Sequence, residues 1–209
     1  MKHFILMADI VSSGSLDSTK AMASFKKLVQ TANKQHKAEL LSPLTITLGD
    51  EFQGIICDLS AALRVMISLE EGLISLNPGF RLRYSLNYGE IGTPINPKIA
   101  HEMLGDGLTT ARKNLNELKN SNSRFSISLV NKKMTQIFEN AFVIYQQIVD
   151  RWKPEKDYDI AAGLIENHDY KIVAKKLGRN RSLIWKREKN LDMISYFAIR
   201  NLITQTAKL

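Results

Sequence analysis

Hydrophobic and polar positions change period along the chain, and each change marks an element. His3 to Ala8 is a nearly unbroken apolar run that ends in Asp9-Ile10, the pattern of a buried strand. A small-residue loop follows, Val11-Ser12-Ser13-Gly14-Ser15. Residues 18–37 then take helical spacing, with Met22, Phe25, Leu28, Val29 and Ala32 on one face. Residues 44–57 read as two strands folded about Gly49-Asp50, with Thr45 and Thr47 alternating against Ile46 and Leu48. Residues 59–76 are again helical and close on the breaker Asn77-Pro78-Gly79, and residues 80–88 alternate as a fourth strand.

The resulting order, β-α-β-β-α-β, predicts the split βαβ or ferredoxin-like arrangement, a four-stranded antiparallel sheet with helices on one face. Nucleotide cyclases and polymerase palms share it. Beyond it, residues 107–118 are helical, 125–130 form a strand and 132–151 another helix. Trp152-Lys153-Pro154-Glu155-Lys156 is charged, carries a proline and predicts a linker. The remainder reads as short helices over 158–166, 170–177, 181–191 and 193–206, with no strand signal. Ala174, Gly178 and Ile184 have the spacing of a helix-turn-helix: a close contact, a left-handed turn and a core residue. The expected fold class is therefore α+β, a cyclase-like domain over 1–152 followed by a small all-α helix-turn-helix domain over 153–209.

Composition narrows the setting. The chain has 209 residues, 44% of them hydrophobic, and one cysteine, Cys57, which is expected to be a buried thiol in a reducing compartment. No stretch approaches the apolar length of a membrane span, so a cytoplasmic protein without a membrane partner is expected. The net charge of +8 is concentrated: residues 171–189 hold eight basic side chains against the single acid Glu188. Such a patch on a correctly spaced helix pair predicts contact with double-stranded DNA through Arg179, Asn180, Arg181, Ser182, Trp185, Lys186 and Lys189. The four histidines are scattered without ligand spacing.

Asp9 and Asp50, forty-one residues apart, carry the candidate chemistry. Each ends an apolar strand, where an ionised carboxylate costs several kcal/mol unless a cation or hydrogen-bond donors compensate it. Convergence on a hard divalent metal is the obvious compensation. Glu51 is expected to point away and be solvated.

Asp9-Ile10, Leu48-Gly49-Asp50, Asn87-Tyr88-Gly89-Glu90-Ile91-Gly92 and Gly105-Asp106-Gly107-Leu108-Thr109-Thr110-Ala111-Arg112 fall in the order seen in class III nucleotide cyclases, and the whole chain resembles the bacterial SatD family. Leu48-Gly49-Asp50-Glu51-Phe52 also resembles the signature hairpin of diguanylate cyclases, with Leu48 in place of its first glycine. The resemblance implies that Asp9, Asp50 and the carbonyl of Ile10 bind Mg²⁺ or Mn²⁺. It also implies that Val11, Ser12, Ser13 and Gly14 offer amides to a triphosphate. No basic residue precedes the hairpin to read a purine. Leu108 or Thr109 stands where cyclases carry an asparagine, and only Arg112 or Lys113 can stand for their arginine.

Two functions are therefore expected. The first is a homodimeric DNA-binding transcriptional regulator whose cyclase-like domain senses metal and nucleotide. The alternative is a divergent metal-dependent nucleotidyl cyclase or related phosphotransferase.

Overall fold

The computed structural model describes residues 1–12, 14, 18–47 and 49–206. Its centre is β1 (Lys2–Ile10), which pairs antiparallel with β3 (Glu51–Ile56) on one side and β4 (Leu82–Glu90) on the other. β2 (Leu40–Ile46) extends the sheet beyond β3, and β5 (Phe125–Ser128) lies beyond β4, giving the order β2-β3-β1-β4-β5. The first four strands have the order that the split βαβ reading requires. The fifth runs parallel to β4, so the sheet is mixed rather than antiparallel throughout.

Helices cover both faces, not one. Leu6, Ala8 and Ile10 of β1 pack towards α1 (Ser18–Gln35) and α2 (Leu59–Leu76), whereas Ile5 and Met7 pack with Leu108, Ala111 and Leu115 of α3 (Asp106–Glu117). Burial on both sides explains why β1 reads as an unbroken apolar run. α2 is fixed at both ends by local chemistry: the Asp58 carboxylate accepts from the Ala61 amide at 2.7 Å, and Asn77 ends the helix with a left-handed φ of 45°.

α3 crosses the end of β4 almost backbone on backbone. A Cβ on Gly89 would lie 2.5 Å from Gly107 Cα, and one on Gly107 would lie 2.6 Å from the Gly89 carbonyl carbon. The Asn87 side chain secures the crossing by donating to the Gly107 carbonyl at 2.9 Å. Two glycines are thus needed where these elements touch.

The C-terminal part comprises α4 (Lys132–Val149), α5 (Pro154–Asn167), α6 (Tyr170–Lys176), α7 (Arg181–Asn190) and α8 (Met193–Thr206). Their apolar residues belong to the same contiguous core as α1, α2 and one face of the sheet. Of the stretch expected to be a linker, Trp152 belongs to that core, while Lys153, Glu155 and Lys156 are exposed. Trp152 is 3% exposed and its indole donates to the Leu191 carbonyl at 3.0 Å, while Pro154 opens α5, where a missing amide hydrogen costs nothing. The expected boundary at 152–153 thus falls beside a buried tryptophan. Ala174 and Ile184 are buried and Gly178 has a φ of 61°, so α6 and α7 meet about a tight turn. Cys57 is exposed rather than buried, and its thiol faces Asp58 at 3.4 Å.

A buried ion cluster ties α2, α4 and the sheet together. Arg124 donates to both Glu70 oxygens at 3.0 and 2.9 Å, to Asp150 at 2.9 Å and to the Leu82 carbonyl at 2.7 Å. Burial opposes its charge, but the two carboxylates outweigh that penalty and raise its pKa above the usual arginine value. Among the described residues no helix is long and apolar enough to cross a membrane.

Because the crossing leaves no space for a methyl group, Gly107→Ala should destabilise the protein by about 2–4 kcal/mol, in the range of overpacking with backbone displacement. Urea denaturation measures it; a loss below about 0.5 kcal/mol contradicts the close approach.

Candidate functional site

The strand register places three charged residues in one row across the end of the sheet. Glu51 on β3 is the Cα partner of Asp9 on β1, and Asp9 is the partner of Arg83 on β4. Asp9 shares its parity with Ile5 and Met7, so the row faces α3. Arg83 grips Asp9 with two hydrogen bonds, Nε to Oδ1 at 2.9 Å and Nη2 to Oδ2 at 3.2 Å, while Lys119 Nζ stands 3.9 Å from Oδ2.

Glu51 is only 6% exposed, which corrects its expected solvation. Its carboxylate accepts from Arg112 of α3 at 2.6 Å and from the Thr47 hydroxyl at 3.1 Å. The period of two explains this: the Asp9 face of the sheet is the Glu51 face, and a carboxylate there must find a cation.

Asp50 lies one residue earlier, in the bend that Gly49 enters with a φ of 87°. Strand alternation does not govern it there. Its carbonyl accepts the Ile10 amide at 2.9 Å, which fixes the hairpin tip against the end of β1. Among the described residues the Asp50 carboxylate has no hydrogen bond or ion pair, yet its charge acts on Asp9. Asp9, 4% exposed, has its pKa raised above the usual aspartate value. Burial is the main cause. Arg83 and Lys119 pull the other way, and repulsion from Asp50 adds to the rise.

The structure therefore brings Asp9, Ile10 and Asp50 together, and no three His, Cys, Asp or Glu side chains converge as a metal centre among the described residues. Of the expected phosphate cradle, the Val11 amide is already donated to the Arg81 carbonyl at 2.9 Å. Ser12 has a left-handed φ of 57°, Gly14 is exposed, and Ser13 lies outside the described residues. Of the positions on α3, Leu108 is buried in the core, Arg112 is committed to Glu51, and Thr109 and Lys113 are exposed.

Sequence reasoning missed Arg83, Glu51 and Lys119. The signal available for Arg83 was its place in Leu82-Arg83-Tyr84-Ser85-Leu86, where apolar residues alternate towards one face and Arg83 necessarily takes the other.

Of the residues expected to meet DNA, Arg179 lies 4.0 Å from the exposed Asp159; elsewhere in the basic stretch Lys176 pairs with Glu166 at 2.6 Å and Arg187 is bonded to Asp157, all three acids belonging to α5. Arg181, Ser182, Lys186 and Lys189 are exposed, the Asn180 side chain caps α7, and Trp185 is 45% exposed with Lys189 Nζ 5.9 Å from its ring centroid.

Arg112→Ala leaves Glu51 buried without its cation. We expect a loss of about 2–4 kcal/mol, at the lower side of buried pairs because Arg112 is partly exposed. Glu51→Gln in the same background should restore part of it; chemical denaturation of both variants provides the check, and equal stability of Arg112→Ala and wild type contradicts the pairing.

Comparison with known proteins adds the following. A bacterial light-regulated adenylyl cyclase matches 61% of this chain at 15% identity with a TM-score of 0.46, the match spanning 43% of that chain. The catalytic core of a rhodopsin-guanylyl cyclase with converted specificity, in complex with ATPαS, matches 56% of this chain and 73% of its own at 17% identity and a TM-score of 0.42. The guanylate cyclase domain of RhGC from Catenaria anguillulae, in complex with GTP, matches 55% and 72% at 16% identity and 0.40. No curated protein gives a significant match. None of the structures named here is described as a DNA-binding protein, and the expectation of a DNA-binding regulator is corrected; Glu166 and Asp157 of α5 pair with Lys176 and Arg187, so the count of basic residues overstated the free charge. The SatD family model matches residues 3–206, nearly the entire chain, and the protein belongs to the SatD family.

Proposed function

We propose that the end of the sheet around Asp9 and Asp50 binds the phosphates of a nucleotide through a divalent cation, Mg²⁺ or Mn²⁺, in the service of nucleotidyl cyclisation or a related phosphoryl transfer. The observation that carries this is an Asp50 carboxylate without a partner among the described residues, acting on a buried Asp9. Two carboxylates that repel each other at the rim of a core form a hard-oxygen donor set, which fits such an ion. Mg²⁺ is commonly held by one or two carboxylates and completes its shell with water and phosphate oxygens, so a third acidic ligand is not required. Asp9, Asp50 and the Ile10 carbonyl would hold it, and Arg83 would keep the Asp9 carboxylate oriented. When bound, the ion neutralises phosphate charge as it develops.

The chain's own residues supply less than a full cyclase set. Arg112 is engaged by Glu51, which leaves Lys113 as the exposed cation on that turn of α3. That engagement favours a second reading, nucleotide binding without turnover, because each missing charge-stabilising donor costs about 10²–10³ in rate.

Incubation with each of the four nucleoside triphosphates and Mn²⁺, followed by chromatography, separates the two. Product that disappears in Asp50→Asn supports catalysis; binding without product supports the second reading. Neither product nor binding with any triphosphate overturns the proposal.

The pH dependence has a definite sign. A folded-state pKa raised above the unfolded value means that Asp9 opposes folding above its ordinary pKa, and the penalty fades as pH falls through the folded-state pKa. A cation relieves that penalty only where Asp9 is ionised. Mn²⁺ with a triphosphate about 100-fold above Kd should therefore raise Tm by about 5 °C or more at pH near 7.5, and much less near pH 4. Scanning calorimetry tests this, and an equal shift at both pH values contradicts it.

A further inference from the structure

A cleft lies between the two helices that back the sheet, α1 and α2, and the C-terminal helices α5, α6 and α8. Its volume is about 660 Å³. A recess of about 300 Å³ continues it, sharing Gln35, Ser68, Glu71 and Arg200. Both volumes fall in the range of small-molecule sites.

The floor is apolar and built from both layers: Leu28 and Ala32 of α1, Leu76 of α2, Ile165 of α5 and Leu177 beyond α6. Gly72 holds the inner wall low, since a Cβ there would come within 2.6 Å of Leu28 Cδ1.

The polar rim is mostly self-satisfied. Glu71 receives the Tyr196 hydroxyl at 2.9 Å and pairs with Arg200 at 2.6 Å, Glu166 pairs with Lys176 at 2.6 Å, and Asp159 faces Arg179 at 4.0 Å. Lys27 lines the same cleft and has no ion pair among the described residues. Once the paired charges cancel, the cleft presents an apolar floor with one uncompensated ammonium at its edge.

We propose that this cleft binds a small amphipathic anion, its apolar body on the Leu28, Ala32 and Ile165 floor and its acidic head, a carboxylate, sulfonate or phosphate, at Lys27. The inference does not depend on nucleotide binding at the sheet end. Bound there, such a ligand touches both the sheet-backing helices and the C-terminal helices, and so raises the stability of their joint core by mass action.

The probe is 1-anilinonaphthalene-8-sulfonate, an apolar body with one sulfonate, titrated into the full chain without metal or nucleotide. Saturable fluorescence enhancement at one site per chain is expected, with a cooperative far-UV melt showing that the protein is folded. Lys27→Glu should weaken the affinity about fivefold or more, the upper range of an exposed charge pair. Ala162→Trp and Thr31→Trp, which fill the cleft from opposite walls, should abolish saturable binding. If Ala162→Trp loses its cooperative melt, Thr31→Trp and Lys27→Glu decide. Non-saturable enhancement, or one Kd shared by wild type, Lys27→Glu and Thr31→Trp, overturns the proposal.

Discussion

A buried carboxylate at the end of a central strand has to be answered by positive charge, and much of the surrounding structure follows from how Asp9 is answered. Arg83 reaches it from the neighbouring strand, in register, and Lys119 approaches from the turn after α3. One strand further, Glu51 poses the same problem and Arg112 answers it. Both arginines stand over the α3 face, so the position of α3 is set by charge as well as by the apolar contacts of Leu108, Ala111 and Leu115. These pairs do not fully relieve Asp9. Burial and the nearby Asp50 still hold its pKa up, and strain of that kind at the rim of a core is where ligand chemistry is concentrated.

The geometry that delivers this row is set elsewhere in the chain. Gly89 and Gly107 let α3 cross the end of β4 at contact distance, and the Ile10 amide closes the hairpin tip onto β1. Asp50 is thus carried on a turn while Asp9 is carried on the central strand. One carboxylate is gripped by Arg83 and the other is held only through its backbone.

The sequence made the element order legible because its periods are clean: an unbroken run for β1, alternation for β4, helical spacing closed by Asn77-Pro78-Gly79 for α2. It also pointed to Asp9 and Asp50, since charge at the end of an apolar run is conspicuous. Pairing register was not legible, and that is what turned Glu51 inwards and set Arg83 opposite Asp9. Nor was the layer behind the sheet. Lys153 and Lys156 suggested a solvated linker, yet the neighbouring Trp152 finds the Leu191 carbonyl thirty-nine residues later, a contact no local pattern announces. The basic stretch misled for a related reason: its counter-charges Asp157, Asp159 and Glu166 sit on the preceding helix, so a window counted over 171–189 could not include them.

The central claim is that Asp50 and Asp9 share one electrostatic site which a cation completes. Carboxyl-carbon NMR titration of Asp9 tests it most directly, in wild type, in Asp50→Asn and with saturating Mg²⁺. The account predicts an Asp9 pKa above the ordinary aspartate value in the metal-free protein, lowered by Asp50→Asn and lowered further in wild type by the ion. An Asp9 that titrates at or below the ordinary value, and that responds to neither change, contradicts it.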